Sequence, residues 1–75
     1  MQKKAKADQE LEKSYTKKQF AAKLRRMADC IEQDKLFRIQ VAGKSVAVPR
    51  SAEFSIEYER EDDSEELEFQ VKWSF

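Results

Sequence analysis

The spacing of apolar residues changes once along this chain, and that change constrains the fold more than any other feature. Over residues 16–33 the larger apolar side chains recur every three or four positions. This is the spacing of a helix with one buried face. From Phe37 onward apolar and polar residues alternate, which is typical of strands with one covered and one wet face. The sequence therefore predicts one amphipathic helix followed by strands.

The predicted helix over residues 16–33 has a clear start. Thr16 is suited to accept a hydrogen bond from a backbone N–H of the first turn, and Gln19 completes a capping box. No glycine follows the helix, so Asp34 or a neighbour must turn the chain. We expect the buried face to centre on Leu24. This face comprises Phe20, Ala21, Leu24, Met27, Ala28 and Ile31.

Alternating segments follow the helix and are joined by short connections. Phe37 begins the first segment and Pro49 ends the second, with the only glycine of the chain, Gly43, in the tight turn between them. Two similar segments, 53–60 and 66–73, then form the arms of one hairpin around a charged loop. Short connections of this kind favour antiparallel neighbours.

The arrangement that covers every apolar stripe is an α+β fold in two layers. One amphipathic helix packs on a four-stranded antiparallel β-meander, because the helix is the only segment available to cover the sheet. Leu11 and Tyr15 also permit a short N-terminal edge strand. A chain of 75 residues forms one domain. We assign residues 11–75 to this α+β domain and residues 1–10 to a disordered basic tail.

The order of these features resembles a known family. The capped helix contains the apolar and basic segment 20–28, and a Val-Pro step at 48–49 follows the first strands. The last strand, 66–73, alternates acidic or polar with apolar residues and closes on a Lys-Trp pair. Together these segments resemble the small prokaryotic amphi-Trp domain proteins over residues 11–73. The resemblance implies the α+β fold and carries no particular activity with it.

Residue types that most enzymes and metal sites need are absent or rare in this chain. It has no histidine, one cysteine and one glycine. A Cys–His pair, a Ser–His–Asp triad, a zinc ligand set and a glycine-rich phosphate loop are therefore excluded. We predict no catalytic residue, no metal site and no cofactor, and we predict that the chain is not an enzyme. Cys30 is interpreted as a structural residue at the border of the helix's apolar face.

Charge is sorted along the chain. Residues 1–50 hold 13 Lys or Arg against 6 Asp or Glu, whereas residues 51–75 hold 2 against 9. A surface that carries charge of mainly one sign affects the binding of partners rather than the choice of fold. We expect the helix to present Lys18, Arg25 and Arg26 outward, and the wet face of the last hairpin to present Glu57, Glu59, Glu66 and Glu68. A solvated surface is the ordinary interpretation of each set, and a binding surface is the alternative.

Trp73 lies at the end of the last apolar strand. The ordinary interpretation of one aromatic residue at strand spacing is a core anchor, here beneath the helix. The alternative is an exposed platform for a partner at the end of the sheet. The sequence leaves both interpretations open.

These features together predict a small non-catalytic interaction module that acts through its charged helix and sheet faces. Its partner is a protein or a second copy of the chain. A nucleic-acid-binding accessory protein that uses the basic tail and helix is the alternative. No apolar run approaches the roughly 20 residues that cross a bilayer, and the basic start lacks the apolar segment of a signal peptide. We therefore predict no membrane contact and a cytoplasmic location.

Overall fold

The computed structural model describes residues 9–75, and these form one helix and four antiparallel strands. The α+β class predicted from the sequence is confirmed. The elements in chain order are α1 (Lys17–Glu32), β1 (Phe37–Val41), β2 (Lys44–Val48), β3 (Glu53–Glu61) and β4 (Ser64–Lys72). Most of the predicted tail, residues 1–8, lies outside the described residues.

Helix α1 begins at the capping box that the sequence predicts. The Thr16 hydroxyl accepts a hydrogen bond of 3.2 Å from the Gln19 backbone N–H. The Gln19 side chain in turn accepts one of 3.1 Å from the Thr16 backbone N–H. Two of the N–H groups that a helix start leaves unpaired are thereby satisfied.

The helix ends in a Schellman motif built around Asp34. Asp34 has a φ of 56°, so it takes the left-handed conformation that glycine usually provides at this position. The Lys35 backbone N–H donates to the Cys30 carbonyl at 2.8 Å, and the Asp34 N–H donates to the Ile31 carbonyl at 3.1 Å. The prediction that Asp34 or a neighbour makes the turn is confirmed. Aspartate fits here because its short polar side chain tolerates this conformation.

Strands β1 and β2 form a tight hairpin in which Phe37 pairs with Val48 and Val41 pairs with Lys44. Ala42 and Gly43 make the connection, with φ values of 49° and 86°. Two consecutive residues with positive φ are the mark of a type I′ turn, whose twist matches that of the flanking strands. Gly43 suits this turn, whereas Ala42 is strained because its Cβ crowds the backbone.

Replacing Ala42 with asparagine is therefore expected to raise the free energy of unfolding by about 0.5–1 kcal/mol, since asparagine is favoured in type I′ turns. Thermal melting should show an increase of a few degrees. The matched control is Ala47→Asn, which places the same side chain at an exposed strand position of β2 and should bring no gain. A melting temperature that Ala42→Asn leaves unchanged would contradict the turn assignment.

Strands β3 and β4 form a longer hairpin that is paired from Glu53 and Lys72 to Glu61 and Ser64. The charged loop predicted over residues 60–65 is mostly strand, and only Asp62 and Asp63 remain in the turn. Arg60 lies directly opposite Glu65, and opposite charges across a strand pair favour continued pairing.

The four strands form two separate two-stranded sheets rather than one meander sheet. Pro49 follows β2 and has no N–H to continue a ladder, and the Ala52 N–H donates to the Pro49 carbonyl at 3.2 Å in a turn. This turn separates the two hairpins. The N-terminal edge strand is also absent: residues 9–16 have no regular secondary structure.

Helix α1 packs on β1, and the core lies between the helix and the first hairpin. Among residues 9–75, Phe37 (3% exposed) and Ala52 (8%) are the buried hydrophobic residues. Leu24, the predicted centre of the core, is only half-buried. The surroundings of Phe37 include Met27, Ile31, Val48, Pro49 and Phe54, which line the same small cavity.

Candidate functional site

The most distinctive surface is one face of the β3–β4 hairpin. Its residues stand in three cross-strand pairs, Phe54 with Val71, Ile56 with Phe69 and Tyr58 with Leu67. Successive residues of a strand point to opposite faces, so these six share one side of the hairpin. We call this surface the apolar hairpin face.

The apolar hairpin face is open to solvent. Five of its six side chains, all but that of the half-buried Val71, are between 50% and 64% exposed. Phenylalanine and tyrosine side chains present roughly 150–250 Å² each when fully exposed. The face therefore presents about 500–600 Å², which is at the upper end of the largest apolar patch on an ordinary monomer.

The alternation of residues predicts that these apolar side chains share one face, and the predicted two-layer fold places the helix over them. The structure places α1 on the first hairpin instead. A helix is about 10 Å across and strands lie about 4.8 Å apart, so a single helix covers about two strands. The sequence already contained a sign that the second hairpin would stay uncovered: one helix is too narrow to cover four strands.

The opposite face of the β3–β4 hairpin carries the four predicted glutamates. They stand in two directly opposed pairs, Glu57 with Glu68 and Glu59 with Glu66. The structure thus brings them together on one surface, as the sequence predicts. Like charges directly opposite each other destabilise a strand pair, so this arrangement needs compensation.

Gln70 provides part of that compensation. Its side-chain amide donates to a carboxylate oxygen of Glu57 at 2.7 Å and to one of Glu68 at 3.4 Å. Its side-chain carbonyl accepts a hydrogen bond of 3.1 Å from the Ser55 hydroxyl. One amide group has two N–H donors, which lets Gln70 bridge two facing carboxylates. Hydrogen bonds among the side chains of this polar face therefore offset part of the repulsion between its glutamates.

The three basic residues predicted on the helix surface are all exposed. Lys18 and Arg25 are exposed, as expected. Arg26 is exposed as well, and its side chain also contacts β1. Its guanidinium donates to the Arg38 carbonyl at 2.7 Å and lies 5.1 Å from the centre of the Phe37 ring. A long arginine side chain at the border of an apolar face can extend along it and place its charge at the neighbouring element.

Tyr15 completes the contact between the helix start and β1. Its hydroxyl donates to the Gln40 carbonyl at 3.4 Å, and the ammonium of Lys23 lies 4.9 Å from the centre of its ring. Tyr15 and Arg26 thus occupy carbonyls of β1 that β2 does not pair. Occupied edge carbonyls make a strand a poorer template for further strands.

Trp73 follows β4 and is half-buried. It lines a shallow depression together with Ser51, Glu53, Lys72 and Ser74. It is therefore at the open end of the second hairpin, and the helix residues are not among its neighbours in that depression. Cys30 is a free, half-buried thiol.

Within residues 9–75, no group of three or more histidine, cysteine, aspartate or glutamate side chains is arranged to hold a metal ion. In the same part of the chain no helix combines the length and the apolar character needed to cross a membrane.

A family model described as the Amphi-Trp domain matches residues 1–75. No curated protein matches the chain, and no solved structure matches it.

Proposed function

The chain belongs to the Amphi-Trp domain family, and from that premise we propose that it is a small non-catalytic interaction module. Its binding surface is the apolar hairpin face and its partner is a protein. The setting is the cytoplasm, where a free thiol such as that of Cys30 stays reduced.

One observation carries this proposal: the β3–β4 hairpin holds Ile56, Leu67 and Phe69 each at least 60% exposed. Exposed apolar area of this extent is unfavourable in water, and association removes it. The composition also fits an interface, because aromatic residues are enriched at protein contacts. Phe54, Tyr58 and Phe69 supply three aromatic rings on a surface with few rotatable bonds.

The charged surfaces take a supporting role in this proposal. The acidic face that holds Glu57 and Glu68 is on the other side of the hairpin, and the exposed Lys18 and Arg25 are on the helix. Charges outside the contact mainly set the association rate and discriminate among partners. They contribute little affinity individually, about 0–1 kcal/mol for an exposed pair.

A nucleic-acid-binding role through the basic tail and helix stays an alternative prediction. The observations favour it less, since Arg26 is engaged with β1 and Lys23 with Tyr15. Phosphate binding would fall steeply with added salt. Gel shifts at low salt on single-stranded and double-stranded nucleic acids measure this, and retardation that salt abolishes would favour the alternative.

Site-specific photo-cross-linking in cells tests the proposed function. A photo-reactive phenylalanine derivative in place of Tyr58 puts the reactive group on the apolar hairpin face and keeps an aromatic ring there. The matched control places the same derivative at Glu57, the adjacent residue on the opposite face. We expect protein adducts from position 58 and few from position 57. Equal yields at both positions, or no protein adduct from position 58, would overturn the proposal.

A further inference from the structure

We propose that the occupant of the apolar hairpin face is a second copy of this chain, related to the first by a two-fold axis. This inference rests on the proposed function and names its partner. Two β3–β4 hairpins stack through their apolar faces to make a small sandwich, with strands about 10 Å apart across the contact.

Within residues 9–75, helix α1 meets this face at Phe54, which lines a small cavity with Met27 and Ile31. Four other side chains of the face are at least 58% exposed. Helix α1 is occupied by its packing against β1. Residues 1–8, the part of this chain outside the described residues, contain Met1 as their only large apolar side chain. A segment of that composition cannot replace the water contacts of six apolar residues.

The size of the face suits a dimer of ordinary dimensions. A standard interface buries about 800 Å² on each partner, and the apolar hairpin face supplies about 500–600 Å² of that from five side chains. The remaining area falls to the rim, where Arg60 and Glu65 form the next cross-strand pair beyond Tyr58 and Leu67. An apolar centre with a charged rim is the usual composition of a protein interface.

Charge also favours a second copy and sets its orientation. The chain has a formal net charge of +0, so two copies carry no net repulsion. The turn end of the hairpin exposes Glu61, Asp62 and Asp63. The charges at the open end are balanced, because Lys72 stands opposite Glu53 and Arg50 lies 3.8 Å from Asp34. Copies that run in opposite directions place each acidic turn beside the charge-balanced open end of the other. Copies that run in the same direction would bring the acidic turns together.

This orientation has two structural consequences. The two-fold axis passes through the middle row of the face, so Ile56 lies over Ile56 of the other copy and Phe69 over its equivalent. The polar faces that carry Glu57 and Glu68 lie on the two outer surfaces of the sandwich. Their like charges are thereby kept apart, and both faces stay in water.

Sedimentation of the purified full-length chain over a range of concentrations tests the second copy. We expect the wild type to sediment with twice the mass of the chain. Phe69→Arg places a charge at the centre of the contact and should weaken self-association at least about thirty-fold. The matched control is Gln70→Arg, which adds the same charge on the opposite face, between two glutamates, and should leave the dimer intact.

Cysteine cross-linking tests the orientation in the background Cys30→Ser, which removes the only native thiol. Ile56→Cys should form an intermolecular disulfide rapidly, because the axis brings this position against itself. Arg60→Cys should not, because opposite strand directions keep the two turn ends apart. The reverse pattern would overturn the proposed orientation.

The outcomes separate this inference from the proposed function. A monomer at every concentration, with position 58 cross-linked to a different protein, overturns the second copy and leaves the proposed function standing. A monomer without such adducts overturns both. A dimer that Phe69→Arg does not weaken overturns the face-to-face contact in favour of pairing through strand edges.

Discussion

Phe37→Ala is expected to lower the free energy of unfolding by about 3–5 kcal/mol. Phe37 is 3% exposed and is the only large side chain among residues 9–75 classed as buried. The substitution removes an aromatic ring from the contact between α1 and β1 and leaves Arg26 without the ring that its guanidinium covers. A chain of this size has a total stability of about 4–11 kcal/mol, so a large part of the population should unfold. Urea denaturation followed by circular dichroism measures the loss.

The matched control is Phe20→Ala, the same chemical change at a helix position that is 55% exposed. It should cost well under half as much, because less apolar area returns to water and alanine favours the helix. Equal losses for the two variants would mean that the core does not centre on Phe37.

Ile56→Asp is expected to remove the dependence of thermal stability on protein concentration. If folding is coupled to association through the apolar hairpin face, each tenfold rise in wild-type concentration adds about 1.4 kcal/mol per mole of dimer. Ile56 is the most exposed of the six residues of the face, at 64%, and an aspartate there places a charge in the contact. The variant should melt at a lower temperature that does not change with concentration.

Ser55→Asp is the control for this experiment, since it adds the same charge one residue away on the opposite face. It should melt with the same concentration dependence as the wild type. Calorimetry over a hundredfold range of concentration makes the comparison. A concentration dependence that survives Ile56→Asp would show that the apolar hairpin face takes no part in association.

The parts of the fold that depend on neighbouring residues could be predicted from the sequence. The capping box of Thr16 and Gln19 is confirmed, as is the turn at Asp34. In each case the cause lies within a few residues: a hydroxyl near a free N–H, or a side chain that tolerates the left-handed conformation. The turn at Gly43 and the shared faces of the strands follow from equally local causes.

The parts of the fold that depend on which helix or hairpin packs against which could not be predicted in the same way. Alternation shows that Phe54, Ile56 and Tyr58 share a face, but it does not show what covers that face. The hydrogen bond that Arg26 makes to β1 could not be predicted for a related reason. Its position on the helix was known, but the reach of its side chain to the Arg38 carbonyl depends on where β1 lies.

The structure of the β3–β4 hairpin shows where the acidic residues of the charge-sorted chain lie. The acidic excess of residues 51–75 is concentrated on the polar face of β3–β4 and at its turn, while the opposite face is apolar. One hairpin therefore carries both a surface that stays in water and a surface that water disfavours. Such two-sided character is typical of a sheet that packs on one side only.

The solvent contact of the Ile56 side chain shows whether a partner covers the apolar hairpin face. Relaxation of methyl resonances by a soluble paramagnetic probe measures this contact. The methyl groups of Ile39, which is half-buried in β1, provide an internal reference. We expect the probe's effect on Ile56 to fall toward that on Ile39 as the concentration of the protein rises. An effect on Ile56 that stays large at every concentration, in buffer and in cell lysate alike, would contradict the proposed contact through the apolar hairpin face.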